Sequence, residues 1–558
     1  MRNNHSHNNI KGSRSIVVML LCALCLMVFA GTTSLPVKPL KKTEGKRVYL
    51  VHADELWYDK WRNNDAQVLR GKVEFEHDGA HLYCDSANFF EASNSFEAWG
   101  NVRMVQGDTL SLTSDYGYYD GNNKFMEAKV FSSDKQVELR NRATTLYTDT
   151  LYFDRIDNMG YYNDGGKLVD KTTTLTSIHG EYHTDTKDAF FTDQVKMVDK
   201  SSTLLTDTLA YNTRTKLANV MGPSDIYSGK SHIYSEMGYY NTDTEQAELL
   251  KRSVLHNEGK SLVGDSIWYD GKTSVSEAFW NVVYTDSVNR NGLLCNYGYY
   301  DDATGYAMST DSAVSFDYSQ PDTLFIHADT FKIFSYNLDT DSVYRELYAY
   351  NKVRAYRKDV QAVCDSMVYI SKDSCITMYR DPIVWNQNQQ LLGEVIELFL
   401  NDSVVDHAHV INQALSVEKL PDPDLFNQVS SKEMFAFFVD GEIHEARAVD
   451  NVLAVYYPVN ESDSTYEGLV SLTTSELRML MIKKKLGSIW TPKAEGVMYP
   501  MSQIPPEKRF LDGFYWFDYV RPVSKEDIFN WRPKKPGTEL KTLRRRGAGT
   551  KQDKVKTL

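Results

Sequence analysis

Proline is nearly missing from the middle of this sequence, with only Pro223, Pro321 and Pro382 between Leu40 and Leu420. Each proline removes a ladder hydrogen bond, so its scarcity leaves β-pairing almost uninterrupted over that stretch. Cysteine is scarce as well. Two of the six, Cys22 and Cys25, sit in an N-terminal apolar run, which leaves Cys84, Cys295, Cys364 and Cys375 scattered through the rest. That is too few for a disulfide scaffold and shows no CxxC pair for zinc, so small buried thiols are expected, with one isolated disulfide as the alternative. Long hydrophobic runs are absent too: Ile16 to Ala30 gives fifteen uncharged residues, short of the roughly 20 that a spanning helix needs.

Net positive charge is confined to the ends. Residues 532–558 hold ten Lys/Arg against two Asp/Glu, and residues 1–31 hold three basic residues and no acid. Removing that +8 and +3 from the net −13 leaves −24 for residues 32–531. Such an acidic body excludes non-specific nucleic-acid binding, which rests on Lys/Arg neutralising phosphates. Catalytic constellations are lacking as well. Ser224 to Ser231 imitates a P-loop, but Ser224 replaces the required glycine and the segment joins two strands. His179, Glu181 and His183 lack the HExxH order, and His407 and His409 have no third ligand nearby in sequence. The chain is therefore expected to be non-enzymatic, with no cofactor and no metal.

What is present begins with an export signal. Arg2, Lys11 and Arg14 precede the apolar run and "AGTTS" follows it, the layout of a secretory signal peptide cleaved near Ala30. An uncleaved anchor is the alternative. Residues 1–30 are read as signal and 31–47 as linker, placing the mature chain in the periplasm, either free or associated with the outer membrane.

A repeat follows. Asp54, Asp85, Asp115, Asp149, His179, Asp207, Glu236, Asp265, Asn296, Asp329, Asp365 and Glu394 recur with gaps of 28 to 36 residues, a spacing typical of repeat architectures. The fourth residue after the anchor is Tyr or Phe in nine of these twelve units, where a composition of 12% aromatic gives one or two. Each unit reads as a strand carrying the anchor, a polar turn such as "DGNNK", and a second strand alternating with period two, as in "EAWGNVRM". A two-strand unit cannot bury its own apolar face, whereas stacked units can. The fold class is therefore all-β: an elongated open β-jellyroll or solenoid-like stack of about 12 to 14 two-strand repeats over residues 48–420. With one strand per unit in each of two facing sheets at ~4.8 Å per strand, the stack extends roughly 60 to 65 Å. Both faces of the first strand carry apolar residues, which a bend or bulge near the anchor would reconcile.

The small residues of the second strands suggest an under-filled interior with room for an apolar guest such as an acyl chain. Its candidate lining is Ala98, Gly100, Val102, Ala128, Val130, Ala218, Val220, Ala278, Trp280 and Val282. The alternative is that these residues interlock with the aromatic file and leave no space.

The serial "D-x-x-x-Y-D … E-A-x-G-N-V" units after a signal peptide, best at Cys84 to Met104, Ser114 to Val130 and Asp265 to Val282, resemble the OstA-like (organic solvent tolerance) family. Its relatives include the periplasmic lipopolysaccharide-transport proteins LptA and LptC and the N-terminal domain of LptD. The resemblance implies an open β-jellyroll that shields the acyl chains of lipopolysaccharide, or of another acylated glycolipid, during outer-membrane assembly. It also implies end strands that pair with other envelope transport proteins or with further copies of the chain. This chain departs from the pattern in having many more units than an LptA-sized domain, and its body is acidic where lipopolysaccharide head groups are anionic. Prolines return from Pro421, so residues 421–531 are read as irregular final units and a cap over the last sheet edge, and residues 532–558 as a basic disordered tail. The rival readings are a structural or adhesive β-repeat protein with a filled core and a carbohydrate-active enzyme on a β-repeat scaffold.

Overall fold

The computed structural model describes residues 47–58, 66–338, 340–401, 404–439, 441–460, 462–482, 485–538 and 540. The signal segment, most of the linker and residues 541–558 of the basic tail lie outside them. The described chain is nearly all strand: 38 antiparallel strands follow one another in a single continuous ladder.

Long strands such as Ala80–Phe90 and Ser95–Gln106 alternate strictly, but the phase breaks once in each. In Ala80–Phe90 the buried side chains are Ala80, Leu82 and Cys84, then Ala87 and Phe89, so the inward face switches at Asp85. Opposite this switch the partner strand carries Gly100 and Asn101 with φ of +75° and +46°. The two residues face one, Asp115, on the following strand, which is a β-bulge. The same left-handed pair recurs at Gly71–Lys72, Lys251–Arg252, Trp280–Asn281, Asn351–Lys352, Asn412–Gln413 and Asp450–Asn451.

The left-handed region costs a non-glycine residue roughly 1 kcal/mol or more, and the anchors offset it. Asn101 Nδ2 donates to Asp85 at 2.8 Å, and Asn281 Nδ2 donates to Asp265 at 2.6 Å, with Arg252 Nη1 on the other oxygen of Asp265 at 3.1 Å. Asn412 and Gln413 both donate to Glu394, at 3.1 and 2.7 Å. At Gly100 the approach is close enough that a Cβ would meet Asp85 Oδ2 at 2.5 Å. The recurring acid is thus the outer brace of a bend.

The bend folds each long strand back on itself. Phe75 pairs with the backbone of Leu82, and Leu82 lies seven residues, ~23 Å along a straight strand, from Phe89. Yet the Phe75 and Phe89 rings are 5.5 Å apart. Arms ahead of the anchor (residues 80–84, 110–114 and their equivalents) therefore form one wall, the leading wall, and arms behind it form a facing, trailing wall. Because each long strand serves both walls, every unit adds two strands to each wall. The extent is about twice that expected from one strand per wall, on the order of 130 Å at ~4.8 Å per strand.

The C-terminal section also differs from its sequence reading. Phe426–Val439, Glu442–Tyr456 and Gly468–Ile482 continue the ladder as regular long strands. After Pro500 the chain crosses the outer face of the leading wall instead of covering the final edge. Two wall glutamines hold its backbone: Gln428 donates to Arg509 O and accepts from Leu511 N, both at 2.9 Å, and Gln390 does the same with Tyr515 O and Phe517 N at 2.8 Å. Val520 O accepts from the buried Arg354 at 3.1 Å. This strap leaves the interior untouched.

The braces make stability sensitive to acid. Hydrogen bonds from Asn281 and Arg252 hold the Asp265 carboxyl below its ordinary pKa. A depressed carboxylate stabilises the fold above its unfolded pKa and ceases to do so as pH falls through the folded value. The melting temperature is expected to stay level down to the ordinary carboxylate range and to drop below it, and Asp265→Ala is expected to lower the neutral-pH melt while shrinking that drop.

Candidate functional site

The space between the walls is filled in one half of the stack and open in the other. From Leu69 to Tyr211 the inward side chains are large and sealed: Phe75, Phe96, Tyr119, Phe153, Tyr182 and Phe191 are all at most 1% exposed. Phe75 and Phe96 stack at 4.2 Å across the gap. The rims are fastened by several of the tyrosines that follow the anchors. The Tyr119 hydroxyl lies 2.7 Å from His77 Nδ1 and accepts from Arg155 Nη1 at 2.7 Å. Asn141 donates to Tyr182 at 3.3 Å, Tyr211 donates to Asp170 at 3.3 Å, and Tyr240 donates to Asp199 at 3.4 Å. Lys216 closes on Asp170 from the same side. Burial raises the Tyr211 hydroxyl to about 12, so this clasp stays protonated near neutral pH.

Beyond Tyr240 the clasps end. Tyr269 and Tyr300, next in the file, are 40% and 44% exposed, and Tyr300 turns its hydroxyl to Asp302 at 2.9 Å. At the bend the floor is closed by small buried side chains, among them Ala278, Cys295, Ala349 and Cys364, together with larger ones such as Ile267, Phe331, Met378 and Ile396. One step up each arm the inward residues are only half-buried, among them Ile233, Leu262, Leu293 and Ile326 on the leading wall. Leu347, Ile376, Leu398 and Met479 face them from the trailing wall. Sixteen successive leading-wall arms at ~4.8 Å make this trough on the order of 75 Å long. Its flanks are branched aliphatic side chains with partial access to water, a surface that gains about 25 cal/mol per Å² on covering by hydrocarbon.

The lining expected from sequence divides along the same boundary. Ala98, Val102, Ala128, Ala218 and Val220 are 0 to 3% exposed within the filled half, and the half-buried Gly100 and Val130 belong to it too. Ala278 and Val282 lie in the floor of the open half at 3%. Trp280 is corrected: it occupies the first left-handed position of a bulge, as Gly100 does, and its ring points outward, 61% exposed. Period two fails at a bulge, which is why the alternation placed it inside. The flanking aliphatics were missed because they lie in arms whose facing the sequence left open.

The four described cysteines are free and buried. Burial raises the Cys84 and Cys295 thiols to about 12 and pushes Cys364 up as well, so they pack and do not react. His409 lies on the outer face, stacked on Phe435 at 4.3 Å between Glu397 and Glu433. Among the described residues no group of three His, Cys, Asp or Glu is placed to hold a metal ion. No described helix is long and apolar enough to cross a membrane.

Residues 45–207 and 192–265 match the family described as OstA-like protein. This stretch is OstA-like. Among solved structures a match is LptH of Pseudomonas aeruginosa, described as the LptA-homologous periplasmic component of the conserved lipopolysaccharide transport device. It is 15% identical, with a TM-score of 0.14, covering 25% of this chain and 81% of that chain. No curated protein matches. The OstA-like match thus spans the filled half and only the first units of the trough, while the same bends and walls continue without a break to Pro500.

The two halves should respond differently to loss of a tyrosine hydroxyl. Tyr119→Phe leaves His77 and Arg155 short of a buried partner and is expected to cost about 1 to 3 kcal/mol. Tyr300→Phe removes a solvent-exposed hydrogen bond and is expected to change thermal stability little. Melting curves of the two variants beside the parent check the contrast.

Proposed function

We propose that this chain is a non-enzymatic periplasmic lipid carrier of the OstA type, in which the open trough shields the acyl chains of lipopolysaccharide or a similar acylated glycolipid. The observation that carries this reading is the run of half-buried aliphatic side chains along the leading wall from Ile226 to Leu472, faced from Leu347 onward by others on the trailing wall, an apolar surface that a filled β-sandwich would not leave wet. The OstA-like match supports the choice of guest. The trough flanks bind the chains, and the rims leave the polar head in water. An anionic head group gains nothing from a body of net −24, so affinity rests on hydrocarbon burial, on bridging cations or on the basic tail.

A second reading applies to part of the molecule. Residues 66–220 have the filled aromatic core of a structural β-repeat, and no guest space is assigned to them.

Mature protein purified under mild conditions is expected to release an acylated glycolipid on extraction, identified by mass spectrometry. Leu262→Asp and Leu398→Asp, placed on facing flanks, are each expected to weaken uptake of a fluorescent acylated glycolipid about tenfold, equivalent to ~1.4 kcal/mol. Absence of any acylated lipid across mild preparations, with no uptake by the parent chain, would return the whole molecule to the filled-core reading.

A further inference from the structure

We infer that the trough is blind at its N-terminal side and open at its C-terminal side, so that acyl cargo stops at Tyr240 and is handed on only past the last strands. The inference rests on the acyl-binding reading above and adds a direction to it. Two successive clasps form the stop: Tyr240 with Asp199 at 3.4 Å, and behind it Tyr211 with Asp170 at 3.3 Å, backed by Lys216. Between and beneath them Leu204, Leu209 and Val220 are 0 to 3% exposed, leaving no apolar surface for a chain to cover. An acyl chain could pass only by breaking both clasps and displacing the Tyr211 ring, itself 1% exposed. Desolvated groups would then be left without partners, each costing on the order of 1 to 3 kcal/mol.

The other end is built differently. Register with Met479 and Val470 points Ile489 and Met498 into the trough, and these are 49% and 52% exposed. Among the described residues Lys485–Trp490 and Ala494–Pro500 each pair with Gly468–Ile482 and with no other strand, so the wall edges there are free. The lining therefore runs out to the last strand of both walls, where the exposed backbone can pair with a further strand. The partner that fits is one presenting its own free strand edge and an apolar trough in line with Ile489 and Met498. Copies of this chain arranged head to tail would not make a continuous acyl channel, because each contributes a filled half.

Photolysis of the full mature chain with a diazirine-bearing palmitate, followed by peptide mass spectrometry, tests this. Adducts are expected on residues 226–498 and not on residues 66–204. Adducts in both sections would overturn the blind end while leaving acyl binding in place, and adducts in neither would overturn acyl binding and the blind end together. Tyr240→Ala combined with Tyr211→Ala is expected to extend labelling to Leu204 and Leu209. Tyr240→Ala alone, at a half-buried site, is the milder variant and is expected to move the boundary only to the Tyr211 clasp. An unchanged adduct map in either variant, with circular dichroism matching the parent, would overturn the role of these tyrosines as the stop.

Discussion

Most units depend on a two-residue left-handed step that lets a β-strand turn its inward face over without ending. A strand that kept strict alternation would present one apolar face to one sheet and could not close on itself. The step at Gly100–Asn101 and its equivalents inserts one residue, bends the strand and sends its two arms into facing walls. It is unfavourable in isolation, and the carboxylate or amide of the neighbouring strand makes it tolerable by accepting from the bulge, as Asp85 does from Asn101. The acidic column that might suggest catalysis or calcium is explained by this requirement. It also accounts for part of the acidity of the body, since ten of the twelve anchors bring a carboxylate to the outside of the bend.

Once the walls face each other, side-chain volume decides what lies between them. In the first half phenylalanine and tyrosine on the trailing arms meet leucine and methionine on the leading arms, such as Leu82, Met104, Leu112 and Met197, and several of the tyrosine hydroxyls fasten the opposite rim. In the second half the leading arms carry mostly isoleucine, leucine and valine, the tyrosines of the file such as Tyr269 and Tyr300 stand exposed, and the floor mixes alanine and cysteine with larger buried residues such as Ile267, Phe331 and Ile396. The aliphatic side chains of the arms cannot span the gap, and packing at the density of a protein interior would need the walls to collapse. They do not collapse, because the bends set the angle between the arms from outside. One backbone plan therefore yields a rigid filled stack and an open trough in series.

Much of this was legible in the sequence. The repeat length, the strand pairs, the aromatic file and the seats of Cys84, Cys295 and Cys364 all follow from spacing and period two. The bend near the anchor was legible as a need, because both faces of the first strand carry apolar residues, but its direction was not. That uncertainty halved the expected extent and misplaced Trp280, whose backbone sits where Gly100 suggested an inward position. The boundary between filled and open halves was hidden for the same reason: which residue of "SLVGDSIWYD" meets which across the gap depends on contacts about 41 residues apart, as between Asp170 and Tyr211. The strap after Pro500 was unreadable, because buried glutamines such as Gln390 and Gln428 mark a docked backbone only once the outer wall face is known.

The central claim is that the same bend holds the rims together in the first half and apart in the second. Double electron–electron resonance between nitroxide labels measures this directly, since the described native cysteines are buried and engineered surface cysteines can be labelled selectively. A pair at Asp108 and Asp157 spans the rims beside the Arg155–Gln106 contact, and a pair at Val288 and Asp341 spans the corresponding rims of the trough. The account predicts a short, narrow distance distribution for the first pair and a clearly longer one for the second in the lipid-free chain. Equal distances at the two places would contradict it.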